Sequence, residues 1–215
     1  MALFQRPAPF DHSDWIFEIK HDGFRGLAYV ENEHARMLSR RGNQYKSFSE
    51  LSSWIARHLN VEDAVIDGEI ACLDSEGRSN FGDLLYRRSD PHFFAFDLLW
   101  LNGRDLRDLP LTERKQKLRE IVPAAPSRVL YSDHVETRGT QLYHFATEYD
   151  LEGIVAKWKY GSYLPNSSAT TWIKIKNPDY TQAEGRVEHV GSRRQHHASS
   201  PSRIRLLEPE LLGIK

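Results

Sequence analysis

Glu18-Ile19-Lys20-His21-Asp22-Gly23-Phe24-Arg25-Gly26 is the stretch on which the reading of the fold turns. It closes an alternating run in which Trp15, Phe17 and Ile19 point one way and Glu18, Lys20 and Asp22 the other. Period two over that length predicts a half-buried strand. Gly23 lets the backbone turn or approach a ligand closely. Phe24, Leu27, Ala28, Tyr29 and Val30 then predict a second strand. A lysine and two carboxylates thus share the exposed face of one strand, with Arg25 just beyond. Taken alone, the run also reads as a solvated strand face carrying a charge ladder.

Working outward, residues 1–14 read as an irregular lead-in, because Pro7 and Pro9 oppose helix. Glu31-Asn32-Glu33 is a turn into a third strand, Ala35–Ser39, and Arg40-Arg41-Gly42-Asn43 continues as a loop. Phe48, Leu51, Ile55 and Leu59 fall at helical spacing, so Ser47–Leu59 is expected to be an amphipathic helix with Ser47 near its N-cap. Further strands are expected at Ala64–Leu73, Phe93–Trp100, Arg128–Tyr131, Ile154–Ala156 and Thr171–Lys176. A charged helix starts at Thr112 and stops at Pro123, a second covers Gly139–Tyr149, and residues 161–169 are a loop.

The 215 residues suit one domain or slightly more. Hydrophobic residues make up 40% and charged residues 27%, enough for a packed core under a soluble surface. A net charge of -1 does not announce nucleic-acid binding, so any basic surface must be local. The single cysteine, Cys72, can form neither an internal disulfide nor a cysteine-based metal site, which fits a reducing cytoplasm. No signal core and no apolar run of membrane length occurs. The phosphate-binding loops Gly-x4-Gly-Lys-Ser/Thr and Gly-x-Gly-x-x-Gly are absent, as are a Gly-x-Ser-x-Gly elbow and zinc spacing among the histidines.

What remains is a set of charges at strand ends: Lys20, Asp22, Arg25, Arg40, Glu69, Glu152, Lys174 and Lys176. Carboxylates to hold a metal and cations to neutralise phosphate suit a nucleoside triphosphate with magnesium. Phe94 or Phe96 offers a flat face for a base, core packing being the plainer role for Phe94.

The order of the motifs then carries a resemblance. Lys20-His21-Asp22-Gly23, Ser39-Arg40-Arg41-Gly42, Asp67-Gly68-Glu69, Phe96-Asp97-Leu98-Leu99, Glu152-Gly153-Ile154-Val155-Ala156-Lys157 and Trp172-Ile173-Lys174-Ile175-Lys176 follow one another. The chain resembles the covalent nucleotidyltransferases, most closely ATP-dependent DNA ligases and the ligase part of bacterial end-joining ligases. It does so over roughly residues 10–178. This implies an α+β, ligase/ATP-grasp-like nucleotidyltransferase domain, with mainly antiparallel sheets flanked by helices and the nucleotide between them. It further implies that Lys20 attacks ATP to form a lysyl-adenylate. Glu18 and Ile19 would border the adenine and Phe96 would stack on it. Arg25, Arg40 and Glu69 would contact ribose and phosphate, with Lys174 and Lys176 on the α-phosphate. Glu69 and Glu152 would serve Mg2+ or Mn2+. Lys157 belongs to a motif but also reads as strand-end surface.

Ligases of this family carry a C-terminal OB-fold, for which the 39 residues after Lys176 are too few. The expected organisation is a nucleotidyltransferase (adenylation) domain at 1–178 and a basic, flexible tail at 179–215. Within that tail Gly191–Arg205 holds Arg193, Arg194, Arg203 and Arg205 and no acid. The expected protein is a cytoplasmic monomer acting on nicked or broken duplex DNA in DNA repair or recombination, alongside a DNA-end-binding protein and with no membrane. RNA ligation, capping-type chemistry and a non-catalytic DNA-end-binding accessory are the alternatives.

Overall fold

The two strands of the opening stretch form, and they lie in different sheets. In chain order the elements of the computed structural model begin β1 (Phe4–Gln5), β2 (His12–Ile19), β3 (Phe24–Glu31), β4 (His34–Ser39), α1 (Ser49–His58), β5 (Asp63–Ala71) and α2 (Phe81–Tyr86). They continue β6 (His92–Leu101), β7 (Arg104–Asp105), α3 (Leu111–Ile121), β8 (Val129–Tyr131) and β9 (His134–Thr137). The last are α4 (Gly139–Glu148), β10 (Gly153–Trp158) and β11 (Trp172–Lys176). The structure describes residues 3–165 and 170–183.

One sheet has the order β1-β11-β10-β2-β9 and the other β4-β3-β5-β6-β7, with β8 added to β6. Pairing is antiparallel except for β1 with β11 and β6 with β8. Lys20–Gly23 is the crossover between the sheets. Gly23 sits where β3 runs against β5, and a Cβ there would come within 2.1 Å of the Ile70 carbonyl oxygen. The Asn32-Glu33 turn places both residues at positive φ, 49° and 62°, as a two-residue hairpin requires.

Strand alternation sorts the side chains into layers. Phe17, Ile154, Ala156 and Ile175 pack with Ala146 of α4 on one side of the first sheet. Ala28, Ile66 and Ile70 pack with Leu51 and Ile55 of α1 and Leu118 of α3 on the far side of the second. A third cluster, Val65, Leu99, Tyr163 and Trp172, joins the two inner faces. Into that inner space the first sheet presents Glu18 opposite Val155 opposite Lys174, then Ile16 opposite Lys157 opposite Trp172.

Several expectations are corrected. The lead-in is not irregular throughout: Phe4–Gln5 is a strand and β2 begins at His12. Ser47 does not cap α1; it lies in a 3-10 turn, Lys46–Phe48, and its hydroxyl accepts from Arg87 Nη2 at 2.7 Å. Helix α2 went unpredicted because six residues are too few to show an apolar period. Its signal was Asn80, whose side chain accepts the Asp83 N–H at 2.9 Å. The compact unit spans Met1–Ala183. Past position 178, the Tyr180 hydroxyl donates to Asp22 and Gln182 accepts the Phe81 N–H. The arginine-bearing stretch Gly191–Arg205 lies outside the described residues.

Candidate active site

Between the inner faces lies a small, half-open cleft whose lining includes Lys20, Glu18, Ile19, Arg25, Glu69 and Phe96. The register explains the convergence. Lys20 follows β2 directly, while Arg25 stands opposite Glu69 on the second sheet. Phe96 reaches the cleft through a β-bulge: Asp67 pairs with Asp97 but Gly68 with Ala95, so β6 has one extra residue there. Its ring meets Trp172 edge-on at 5.7 Å. Phe94, by contrast, is buried and stacks on His21 at 3.7 Å. Gly68 brings β6 close, since a Cβ would meet the Phe93 ring at 2.4 Å.

Lys20 is not on an open strand face. Its side chain is 18% exposed and its Nζ donates to Glu152 Oε2 at 2.5 Å. Lys176 Nζ stands 3.6 Å from the other Glu152 oxygen. Glu69 lies in the fields of Lys20, Arg25 and Glu152. Among the described residues no hydrogen bond or ion pair reaches its carboxylate, and burial pushes its pKa up to about 8. Lys174, Lys176 and Arg40 do not line the cleft. Arg40 is exposed on the turn after β4, yet its charge is felt at Lys174. Partial burial and then the positive charges of Lys176 and Lys20 lower the Lys174 pKa.

The alternative reading of the run, a solvated charge ladder, does not hold at Glu18. Glu18 is 2% exposed. Its Oε1 accepts from Lys115 Nζ and its Oε2 from Lys157 Nζ, both at 2.7 Å, with the Ser132 hydroxyl at 3.4 Å. Burial alone would raise the Glu18 pKa, but the two lysines outweigh it and hold the carboxylate below its usual range. Lys157 is therefore no surface residue. It is 2% exposed, and its Nζ lies 4.3 Å and 4.1 Å from the Phe96 and Trp172 ring centroids. Burial lowers its pKa to about 8. Arg25 is clamped by Asp67, Nε to Oδ1 at 3.0 Å and Nη2 to Oδ2 at 2.6 Å, while the Tyr163 hydroxyl donates to the same Asp67 Oδ2. Lys115, Ser132, Trp172 and Tyr163 were not singled out as site residues by the sequence.

Two mainly antiparallel sheets thus close over a lysine, two nearby carboxylates and an aromatic-walled cleft. The sequence profile of the ATP dependent DNA ligase domain matches residues 7–176, and the chain belongs to that family. The chain is 29% identical over 206 residues to the multifunctional non-homologous end joining protein LigD of Pseudomonas aeruginosa, covering 89% of this chain and 24% of that protein. It is 30% identical over 190 residues to the SPbeta prophage-derived DNA ligase-like protein LigB of Bacillus subtilis, covering 85% and 68%. The solved structure of mycobacterial DNA ligase D complexed with ATP and MES superposes with a TM-score of 0.66 at 27% identity, covering 81% of this chain and 60% of that one. The chain thus spans about a quarter of the LigD relative's length. Among the described residues no helix is long and apolar enough to cross a membrane.

Proposed function

We propose that this chain performs ATP-dependent DNA ligation, with Lys20 as the residue that becomes adenylated. The observation that carries the reading is the Lys20–Glu152 pair at the mouth of an aromatic-walled cleft. The Lys20 ammonium must first shed a proton, and Glu152 is the carboxylate within reach. The Nζ lone pair then forms a bond to the α-phosphorus while the bond to pyrophosphate breaks, its electrons leaving with pyrophosphate. Phe96 and Trp172 supply faces and edges for the base. Lys174, Lys176 and Arg40 form a positive rim that suits the phosphate chain.

A divalent cation fits the residues present. Among the described residues no group of three His, Cys, Asp or Glu is arranged to enclose one. Magnesium, however, is commonly held by one or two carboxylates together with substrate phosphates. Glu69, with no ion pair among the described residues and its pKa raised by burial, stands beside Glu152 as a carboxylate suited to a divalent cation. Glu69 and Glu152 would hold it, and the metal would neutralise triphosphate charge.

AMP would then pass to a DNA 5′-phosphate, and a neighbouring 3′-hydroxyl would displace it to seal the strand. The end-joining character of the LigD relative supports broken duplex DNA as substrate, DNA repair as setting and a DNA-end-binding protein as partner, within the cytoplasm. Incubation with α-labelled ATP and magnesium tests the first step. A labelled band stable to denaturation is expected; no label on the intact chain would overturn the reading. Nicked DNA against nicked RNA then fixes the acceptor.

A further inference from the structure

The cleft holds a charged cluster that the adenylation chemistry does not use. Lys115 comes from α3, ninety-seven positions from Glu18 in sequence. It donates to Glu18 Oε1 at 2.7 Å and to the Ser132 carbonyl at 2.9 Å, and it is 1% exposed. A carboxylate offers about four lone-pair sites. Lys115, Lys157 and the Ser132 hydroxyl take three of them at Glu18. One acceptor site is left on a residue that lines the cleft and is otherwise covered. Lys157 beside it spends one of its three N–H donors on Glu18, and its Nζ lies against the Phe96 and Trp172 rings at the cleft wall.

We infer that Lys115 is a positioning residue for base selection: it fixes Glu18 as an acceptor beside the Lys157 donor, so the pocket takes a base with an exocyclic amine and an adjacent ring acceptor. Adenine presents that pair, an amine donor next to an unprotonated ring nitrogen. Hypoxanthine and guanine reverse both, with a carbonyl next to a ring N–H. A reversed base sets its carbonyl against the Glu18 carboxylate and its N–H against the Lys157 ammonium, two buried mismatches. Without Lys115 the carboxylate keeps Lys157 and Ser132 but loses the group that holds its second oxygen. Glu18 then gains freedom to rotate and to hold a proton, and a protonated carboxyl can donate to a carbonyl. Selection should fail before binding does.

This inference rests on the proposed nucleotide site but not on catalysis, so equilibrium binding tests it. The intact chain is titrated with ATP and with inosine triphosphate, and the ratio of the two affinities is the readout. The wild-type chain should prefer ATP at least about a hundredfold, as expected when a site built for a hydrogen-bonding group meets its reverse. Lys115→Met should cut that ratio at least about tenfold, and Lys115→Arg should restore most of it. A role in stability alone would weaken both nucleotides equally and leave the ratio unchanged, which overturns the inference. So does a wild-type chain without preference, a result that needs no variant. Should Lys115→Met fail to fold by circular dichroism, Lys115→Gln carries the same expectation. Covalent labelling, run in parallel, isolates the ligase reading. A Lys115-dependent preference without any label keeps this inference and removes that one.

Discussion

At the Glu18 end of the cleft one carboxylate is gripped by two lysines, and none of the three side chains is more than 3% exposed. At the Lys20 end Lys176 is 45% exposed, Arg40 stands in solvent and Glu69 has no ion pair among the described residues. The Glu18 end is fully paired, and its charges are part of what holds the two sheets and α3 together. At the Lys20 end only the Lys20–Glu152 pair is tight, and Lys176 and Arg40 stand open to solvent. Damage at the two ends should therefore be read by different instruments, stability at the first and rate at the second.

The largest effect expected is at the Lys20 end. Lys20→Ala should abolish covalent labelling by α-labelled ATP and lower the melting temperature less than Lys157→Ala does, because Lys20 is 18% exposed where Lys157 is 2%. Residual label in that variant would place the nucleophile elsewhere. Lys157→Ala, at the Glu18 end, should cost about 3 kcal/mol of unfolding free energy, since it removes one partner of a buried charge. Urea unfolding gives the number, and a loss below about 1 kcal/mol, the size of a surface pair, would erase the contrast between the two ends. Lys174→Ala should do the reverse. Labelling should slow at least about tenfold, equivalent to roughly 1.4 kcal/mol of barrier, with stability nearly unchanged.

The smallest effect is one of pH. Glu69 has a folded pKa of about 8 against 4.5 for an ordinary glutamate, so the folded chain holds a proton that the unfolded chain has released. That contribution is full below pH 4.5 and is lost as pH rises toward 8. Compared with Glu69→Gln, wild-type stability should decline over this window when metal is absent, and magnesium should flatten the decline. Parallel pH curves for the two chains would remove Glu69 from the role of metal ligand.

Much of this contrast was legible in the sequence. The strands at Phe24–Val30, Ala64–Leu73 and Phe93–Trp100 were expected from their apolar side chains, but neither their grouping into a second sheet nor the crossover at Gly23 was. Alternation also set Glu18 of β2 and Lys20, just past its end, on one face. It could not say that this face was inward, because charge is ordinarily the mark of solvent. The helix α3 was expected from Thr112 to Pro123, but the same bias hid which of its side chains turn inward. Its buried residues, Leu111, Arg114, Lys115 and Leu118, fall at positions i, i+3, i+4 and i+7, a regular helix face with two cations inside it. Leu111 and Leu118 alone carried the signal. Arg114 is buried for a different reason from Lys115: it grips Asp97 with two hydrogen bonds of 2.8 Å and donates to the Leu109 and Gly161 carbonyls. No local pattern distinguishes such lysines and arginines from solvated ones, because their partners are nearly a hundred positions away or on another strand. Of the two phenylalanines, Phe96 lines the cleft and Phe94 is buried, and the bulge supplies the reason that spacing could not.

The strand Phe4–Gln5 is two residues long, yet it lies along β11 in register with Ile173 and Lys174, and the Arg6 N–H donates to the Lys174 carbonyl at 3.1 Å. Without it β11 would be an open edge of free N–H and carbonyl groups, the kind that recruits strands from other molecules. The segment that looks most dispensable is therefore a guard on colloidal behaviour. A fusion or truncation that peels it away would take Leu3 from the cleft wall and bare that edge, and aggregation at raised concentration is the expected outcome.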